Sequence, residues 1–164
     1  MPETEAYITG LGRKFRFYDI DLVKQDGIQA LVDTTISEFG RVDILVNNAG
    51  IIRRNDFLDF PEKDWDDVIS MNLKSLFMLS QAVARNMRDN GGGKIINIAS
   101  MLSFQGGIRV VSYTASKSGV AGMTKLMANE LAKYNIQVKR EAVVKQAHRK
   151  EKEYFFTESG SAKK

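Results

Sequence analysis

The sequence contains no cysteine, so it can form neither a disulfide nor a thiolate metal site. A single histidine, His148, leaves too few ligands for a transition metal, and no metal is expected. Two prolines in 164 residues leave no proline-rich linker. No apolar run approaches the roughly 18 residues that a membrane helix needs, and the N-terminus shows no charged-then-apolar leader. Neither a membrane span nor secretion is expected, and the lack of cysteine fits a reducing cytoplasm.

Excess charge is also missing from most of the chain. The formal net charge is +4, yet residues 1–138 hold sixteen basic and sixteen acidic side chains. The 26 residues from Lys139 hold eight and four, so the whole excess lies in the tail. Its glutamates are interspersed and its aromatics bunch in one YFF, which describes a solvated extension better than a nucleic-acid surface. No nucleic-acid partner is expected. The composition break divides the chain into a domain over residues 1–138 and a basic tail over 139–164 of different character.

What is present is enough for one α/β domain, since 43% of the residues are hydrophobic. Phe15–Asp19 reads as a strand, Gln25–Phe39 as a helix stopped by Gly40, and Ile44–Asn47 as a buried strand. Pro61 suits the first position of a helix, with Glu62 and Asp64 in its first turn. Trp65, Val68, Ile69, Leu76, Leu79 and Val83 then recur at helical spacing until Gly91–Gly93. Lys94–Ala99 is a short apolar strand, and the segment from Ser112 to about Lys133 is helical. Strands alternating with helices imply parallel pairing in a doubly wound sheet.

The chemistry lies in an ordered set of residues. Tyr113 and Lys117 are four apart in YTASK, so on a helix they face the same way. An ammonium within about 4–6 Å favours the phenolate and lets a tyrosine act as a base near neutral pH. Ser100 closes the apolar run IINIAS, where its hydroxyl could hold the oxygen that gains or loses a proton. NNAG at Asn47–Gly50 ends one strand, and Asn72 sits inside the long amphipathic stretch. A lone YxxxK would mean little; the four features in this order are a hydride-transfer signature. Arg53, Arg54 and Arg109 flank this set, and an arginine fork suits a carboxylate.

On these residues the chain resembles the short-chain dehydrogenase/reductase family from about Phe15 to Val138. The resemblance implies Tyr113 as general acid/base, Ser100 as the residue orienting the substrate oxygen, Lys117 as activator of the tyrosine and ligand of the nicotinamide ribose, and Asn72 as anchor of a proton-relay water. It implies an NAD cofactor, with NADP not excluded. Asp21 would contact the adenine, while Asn47, Ala49 and Gly50 would line its adenosine side. The runs NNAGIIRR, EKDWDDV and NIASMLSFQGGIRVVSYTASKSGV resemble members that act on a deoxy sugar acid. They imply a sugar-acid substrate, with Arg53, Arg54, Gln105 and Arg109 at its mouth. Family members commonly form dimers and tetramers, so a homo-oligomer is expected.

Two departures qualify this. The family opens with a strand and a TGxxxGxG turn that cradles the dinucleotide pyrophosphate. Here Thr9-Gly10-Leu11-Gly12 imitates part of it, but MPETEAYI is too short and polar for a buried strand, and a plain turn is expected. After Val138 the family's PG-containing loop is replaced by KREAVVKQAHRKEKEYFFTESGSAKK, as a frameshift or truncated gene end would produce. The expected fold is a Rossmann-like parallel sheet lacking its first two strands and its last. The alternative function is a noncatalytic fragment that only associates through its helices.

Overall fold

The computed structural model describes residues 2–143; the tail from 144 to 164, His148 included, lies outside the described residues. The chain opens with helix α1 (Pro2–Gly10), followed by α2 (Gln25–Phe39), β1 (Ile44–Asn47), α3 (Glu62–Ile69) and α4 (Ser75–Asp89). β2 (Gly93–Ser100), α5 (Val111–Leu131) and β3 (Ile136–Val143) complete it. The three strands form one parallel sheet in the order β1-β2-β3, with Ile44 opposite Lys94 and Gly93 opposite Ile136. Parallel neighbours need a crossover, and α4 and α5 supply the two. The α/β class and the incomplete parallel sheet are those expected.

One face of this sheet carries the core. Val32 of α2, Val83 and Met87 of α4 and Met127 of α5 close over Ile95, Ile136 and Val138. Because side chains alternate along a strand, the opposite set points away from these helices. Ile44 and Val46 are accordingly 57% and 53% exposed, which corrects the expectation of a buried strand at Ile44–Asn47.

A second correction concerns Phe15–Asp19, which forms no strand. A strand is stabilised by its neighbour's ladder, and among the described residues no strand lies alongside this segment. It runs instead beside the end of α2, where Arg16 Nε pairs with Glu38 at 2.7 Å and Lys14 Nζ donates to the Glu38 carbonyl at 2.6 Å. At the other end β3 runs past Val138, pairing Lys139–Val143 with Ile96–Ser100, so the expected seam at 138 falls inside a strand.

The long helix expected after Pro61 is present but interrupted. Pro61 sits one position earlier than expected, as the N-cap, a difference within the usual uncertainty of helix ends. Between α3 and α4 the turn Ser70–Lys74 widens into a π-helix, a form frequent at functional sites. The helix then ends through Gly91 and Gly92, both at positive φ.

Gly92 combines φ +115° with close approach: a Cβ there would lie 2.3 Å from the Asn135 carbonyl oxygen. Gly92→Ala is expected to destabilise the chain by about 2 to 4 kcal/mol through backbone strain and overpacking. Urea unfolding of the two proteins checks this, and Gly91→Ala, with nothing within 4 Å, isolates the strain alone.

Candidate functional site

The strands' C-terminal ends bring the expected quartet to one place. β1 ends at Asn47 and the chain turns through Asn48-Ala49-Gly50 toward the π-turn of the long helix. There Asn72, 1% exposed, accepts from the Ile51 amide at 2.8 Å and donates back to the Ile51 carbonyl at 2.9 Å. Its Nδ2 also reaches Ser116 Oγ on α5 at 3.2 Å. A Cβ on Gly50 would meet Asn72 Oδ1 at 3.2 Å and Lys117 Nζ at 3.9 Å, so glycine is what permits this approach.

α5 presents Tyr113 and Lys117 on one face, with the ammonium 5.7 Å from the centre of the phenol ring. Lys117 is buried and its Nζ donates to the Ile98 carbonyl of β2 at 2.6 Å. Burial holds its pKa below the ordinary lysine value. The folded chain therefore binds fewer protons than the unfolded one between the lowered value and the ordinary value. Stability is expected to rise with pH across that alkaline window, since the cost of burying the ammonium disappears as it deprotonates. Lys117→Met should flatten the rise, as measured by denaturant unfolding at stepped pH.

Ser100 ends β2 and caps the turn after it. Its Oγ accepts from the Leu102 amide at 3.2 Å, which leaves the hydroxyl proton available to another acceptor. Its own amide donates to Ser103 Oγ at 3.3 Å, and Ser103 Oγ donates to the Lys117 carbonyl at 2.8 Å. This reciprocal cap ties the serine turn to the helix bearing the tyrosine and lysine. Ser103 and Ser116 escaped the sequence reading. The S-x-x-S spacing from Ser100 was the available sign of the first; nothing in the sequence marked the second.

The remaining expected residues divide. Arg53 lies between Asp64 and Asp67 of α3, at 3.6 and 3.8 Å, and Asp67, also held by Lys63, titrates below its ordinary value. Arg109, at φ +63°, pairs with Asp56 at 3.1 Å. Arg54 and Gln105 are exposed. Asn47 and Ala49 line a small cleft with Leu22, whereas Asp21 faces another hollow beside Asp19 and Lys24. Among the described residues no acidic or histidine cluster could hold a metal, and no helix is long and apolar enough to cross a membrane.

The sequence profile of the short chain dehydrogenase family matches residues 2–144. The chain belongs to the short-chain dehydrogenase family. It is 65% identical over 137 residues to the 2-dehydro-3-deoxy-D-gluconate 5-dehydrogenase of Escherichia coli K12, covering 83% of this chain and 54% of that enzyme. Solved dehydrogenase structures are among those that match its fold. A 7α-hydroxysteroid dehydrogenase complexed with NADH and 7-oxo glycochenodeoxycholic acid is 37% identical at a TM-score of 0.82, over 86% of this chain and 55% of that one. A gluconate 5-dehydrogenase from Burkholderia cenocepacia J2315, in complex with NADP and tartrate, is 35% identical at 0.80, over 85% and 55%. This family member thus spans about half the length of the relatives it matches.

Proposed function

We propose that this chain carries the catalytic part of a nicotinamide-dependent dehydrogenase. Its substrate would be a secondary alcohol, or the matching ketone, of a deoxy sugar acid of the 2-dehydro-3-deoxy-D-gluconate type. The observation that carries the reading is the convergence of Tyr113, Lys117, Ser100 and Asn72 through the contacts around α5.

The residues present suit one end of the cofactor. Lys117 Nζ beside the bare Gly50 backbone can hold the nicotinamide ribose, and Asn47 and Ala49 can line the adenosine side. When bound, the nicotinamide takes up or returns a hydride. The dinucleotide is NAD or NADP, since one matching structure is complexed with NADH and another with NADP. Tyr113 Oη takes the alcohol proton in oxidation and returns it in reduction. Ser100, which accepts from the Leu102 amide and keeps its own proton free, directs that proton to the substrate oxygen and fixes that oxygen near the phenol. Asn72 braces the Gly50–Ile51 backbone against α5, and by its likeness to the family would anchor a relay water beyond Lys117.

Arg54, exposed beside the site, is the candidate for the sugar acid's carboxylate, because Arg53 and Arg109 already hold carboxylates of the chain. The proposed setting is cytoplasmic. The test is direct: the chain joined to a glycine-rich strand-helix-strand opening and a family-like end after Val138 should oxidise such an alcohol with NAD. Lack of any turnover by this completed chain would overturn the reading.

A noncatalytic, associating role has its own observation. Phe77 of α4 with Leu126 and Tyr134 around α5 line a groove of about 220 Å³ and are 37% to 54% exposed. Such apolar surface tends to find a partner, here a second copy. Sedimentation at dilute concentration is expected to show dimers or larger species, and a stable monomer would count against this association.

A further inference from the structure

Below the quartet, a row of buried polar side chains crosses the sheet. Asn47 Nδ2 donates to Ser80 Oγ and to Asn97 Oδ1, each at 2.8 Å. Asn97 Nδ2 donates to Thr124 Oγ1 at 2.9 Å, and Thr124 Oγ1 donates to the Val120 carbonyl at 2.7 Å. None of the four side chains is more than 6% exposed. They come from β1, α4, β2 and α5, so one chain of hydrogen bonds joins two strands to two helices. The Thr124 proton is committed to Val120, which fixes its oxygen as the acceptor for Asn97.

The position of this row matters more than its existence. Thr124 lies seven residues, two helical turns, beyond Lys117 and so on the same face of α5. Asn97, which it holds, immediately precedes Ile98, whose carbonyl takes the Lys117 ammonium. α5 is thus tied to two consecutive residues of β2 by two bonds set two turns apart. Between them the contacts with β2 are apolar, with Val120 against Ala99 and Leu76, while Arg140 of β3 reaches the Ala121 carbonyl only at 3.4 Å. Apolar contacts are non-directional and tolerate sliding, whereas hydrogen bonds weaken steeply when misaligned.

We propose that Thr124, acting through Asn97, is a positioning residue that sets the height of α5 on β2, so that Lys117 meets the Ile98 carbonyl and stays beside Tyr113. Its catalytic meaning rests on the function proposed above; its geometry does not. Loss of the hydroxyl leaves the Asn97 amide buried without an acceptor, and only a helix shift or an entering water relieves this. Either change wets Lys117, which faces the Tyr113 ring on its own helix, the neutral Ile98 carbonyl on β2 and the Gly50 backbone.

The test uses the 164-residue chain without cofactor or substrate. The Cε resonance of Lys117 is followed against pH by carbon NMR and assigned by its loss in Lys117→Arg. In Thr124→Val the midpoint should climb toward the ordinary lysine value as solvation returns. Thr124→Ser, which keeps the hydroxyl, should leave the midpoint where it is in the parent. The double variant Asn97→Leu/Thr124→Val removes both partners of the lost bond, while Asn47 keeps Ser80. It should fold and show the raised midpoint. A folded Thr124→Val or double variant with an unmoved midpoint overturns the proposal, since a merely structural hydroxyl would cost stability alone. Failure of both to fold overturns it as well, because the hydroxyl would then be required for folding and not for placement. No outcome depends on turnover, so a failed dehydrogenase assay leaves this measurement standing.

Discussion

Tyr113→Phe in the completed chain is expected to lower kcat by about 10² to 10⁴, the usual worth of general acid–base catalysis, with cofactor affinity retained. The substitution removes one oxygen and little else. Tyr113 makes its structural contacts through its ring and main chain: Lys117 lies over the ring, and Ser116 donates to its carbonyl. Phenylalanine keeps both. Lys117→Met should reduce both rate and cofactor binding, because one ammonium serves both. Ser100→Ala should reduce rate alone, although it also strips the acceptor from the Leu102 amide. Steady-state assays with varied cofactor and substrate separate these cases. A Tyr113→Phe enzyme that kept most of its turnover would show that the proton travels another way.

The elements nearest this chemistry were legible in the sequence because their signals are local. The spacing in YTASK needs only a helix to bring its two side chains together, and KIINIA needs only one covered face to be a strand. Phe15–Asp19 has the same kind of composition and yet forms no strand, because pairing depends on a neighbour that sequence periodicity cannot supply. For the same reason the strand at Ile44–Asn47 reads as buried while half of its side chains are exposed. Burial on two faces is a property of the layers around a strand and not of the strand.

The site shows a similar divide. Asn72 was legible as a member of the quartet, but the π-turn that carries it leaves no mark in SMNLK. Three arginines near the mouth looked equivalent. Only the structure separates Arg53 and Arg109, held by Asp64, Asp67 and Asp56, from the exposed Arg54. Ion pairing is decided by which acids α3 and the segment before it bring close: Asp64 and Asp67 lie eleven and fourteen residues from Arg53, and Asp56 lies fifty-three from Arg109.

The 164-residue chain itself is expected to bind NADH weakly, with no saturable rise in NADH fluorescence at micromolar concentrations. The argument is electrostatic. A dinucleotide pyrophosphate is held by free amides at the N-terminal, positive end of a helix. Thr9-Gly10-Leu11-Gly12 lies at the opposite pole, closing the C-terminal end of α1. Its amides are already spent: Leu11 donates to Tyr7 and Ile8, Gly12 to Thr9, and Arg13 to Ile8. Gly12, at φ +71°, ends the helix as a glycine commonly does, so the segment is a helix terminus where a plain turn was expected and a phosphate loop is what the family carries. Lys117 and Tyr113 can still meet the nicotinamide ribose, but one ribose contact falls far short of the roughly 8 kcal/mol that micromolar affinity represents. Saturable micromolar binding would mean that residues elsewhere in this chain replace the missing cradle.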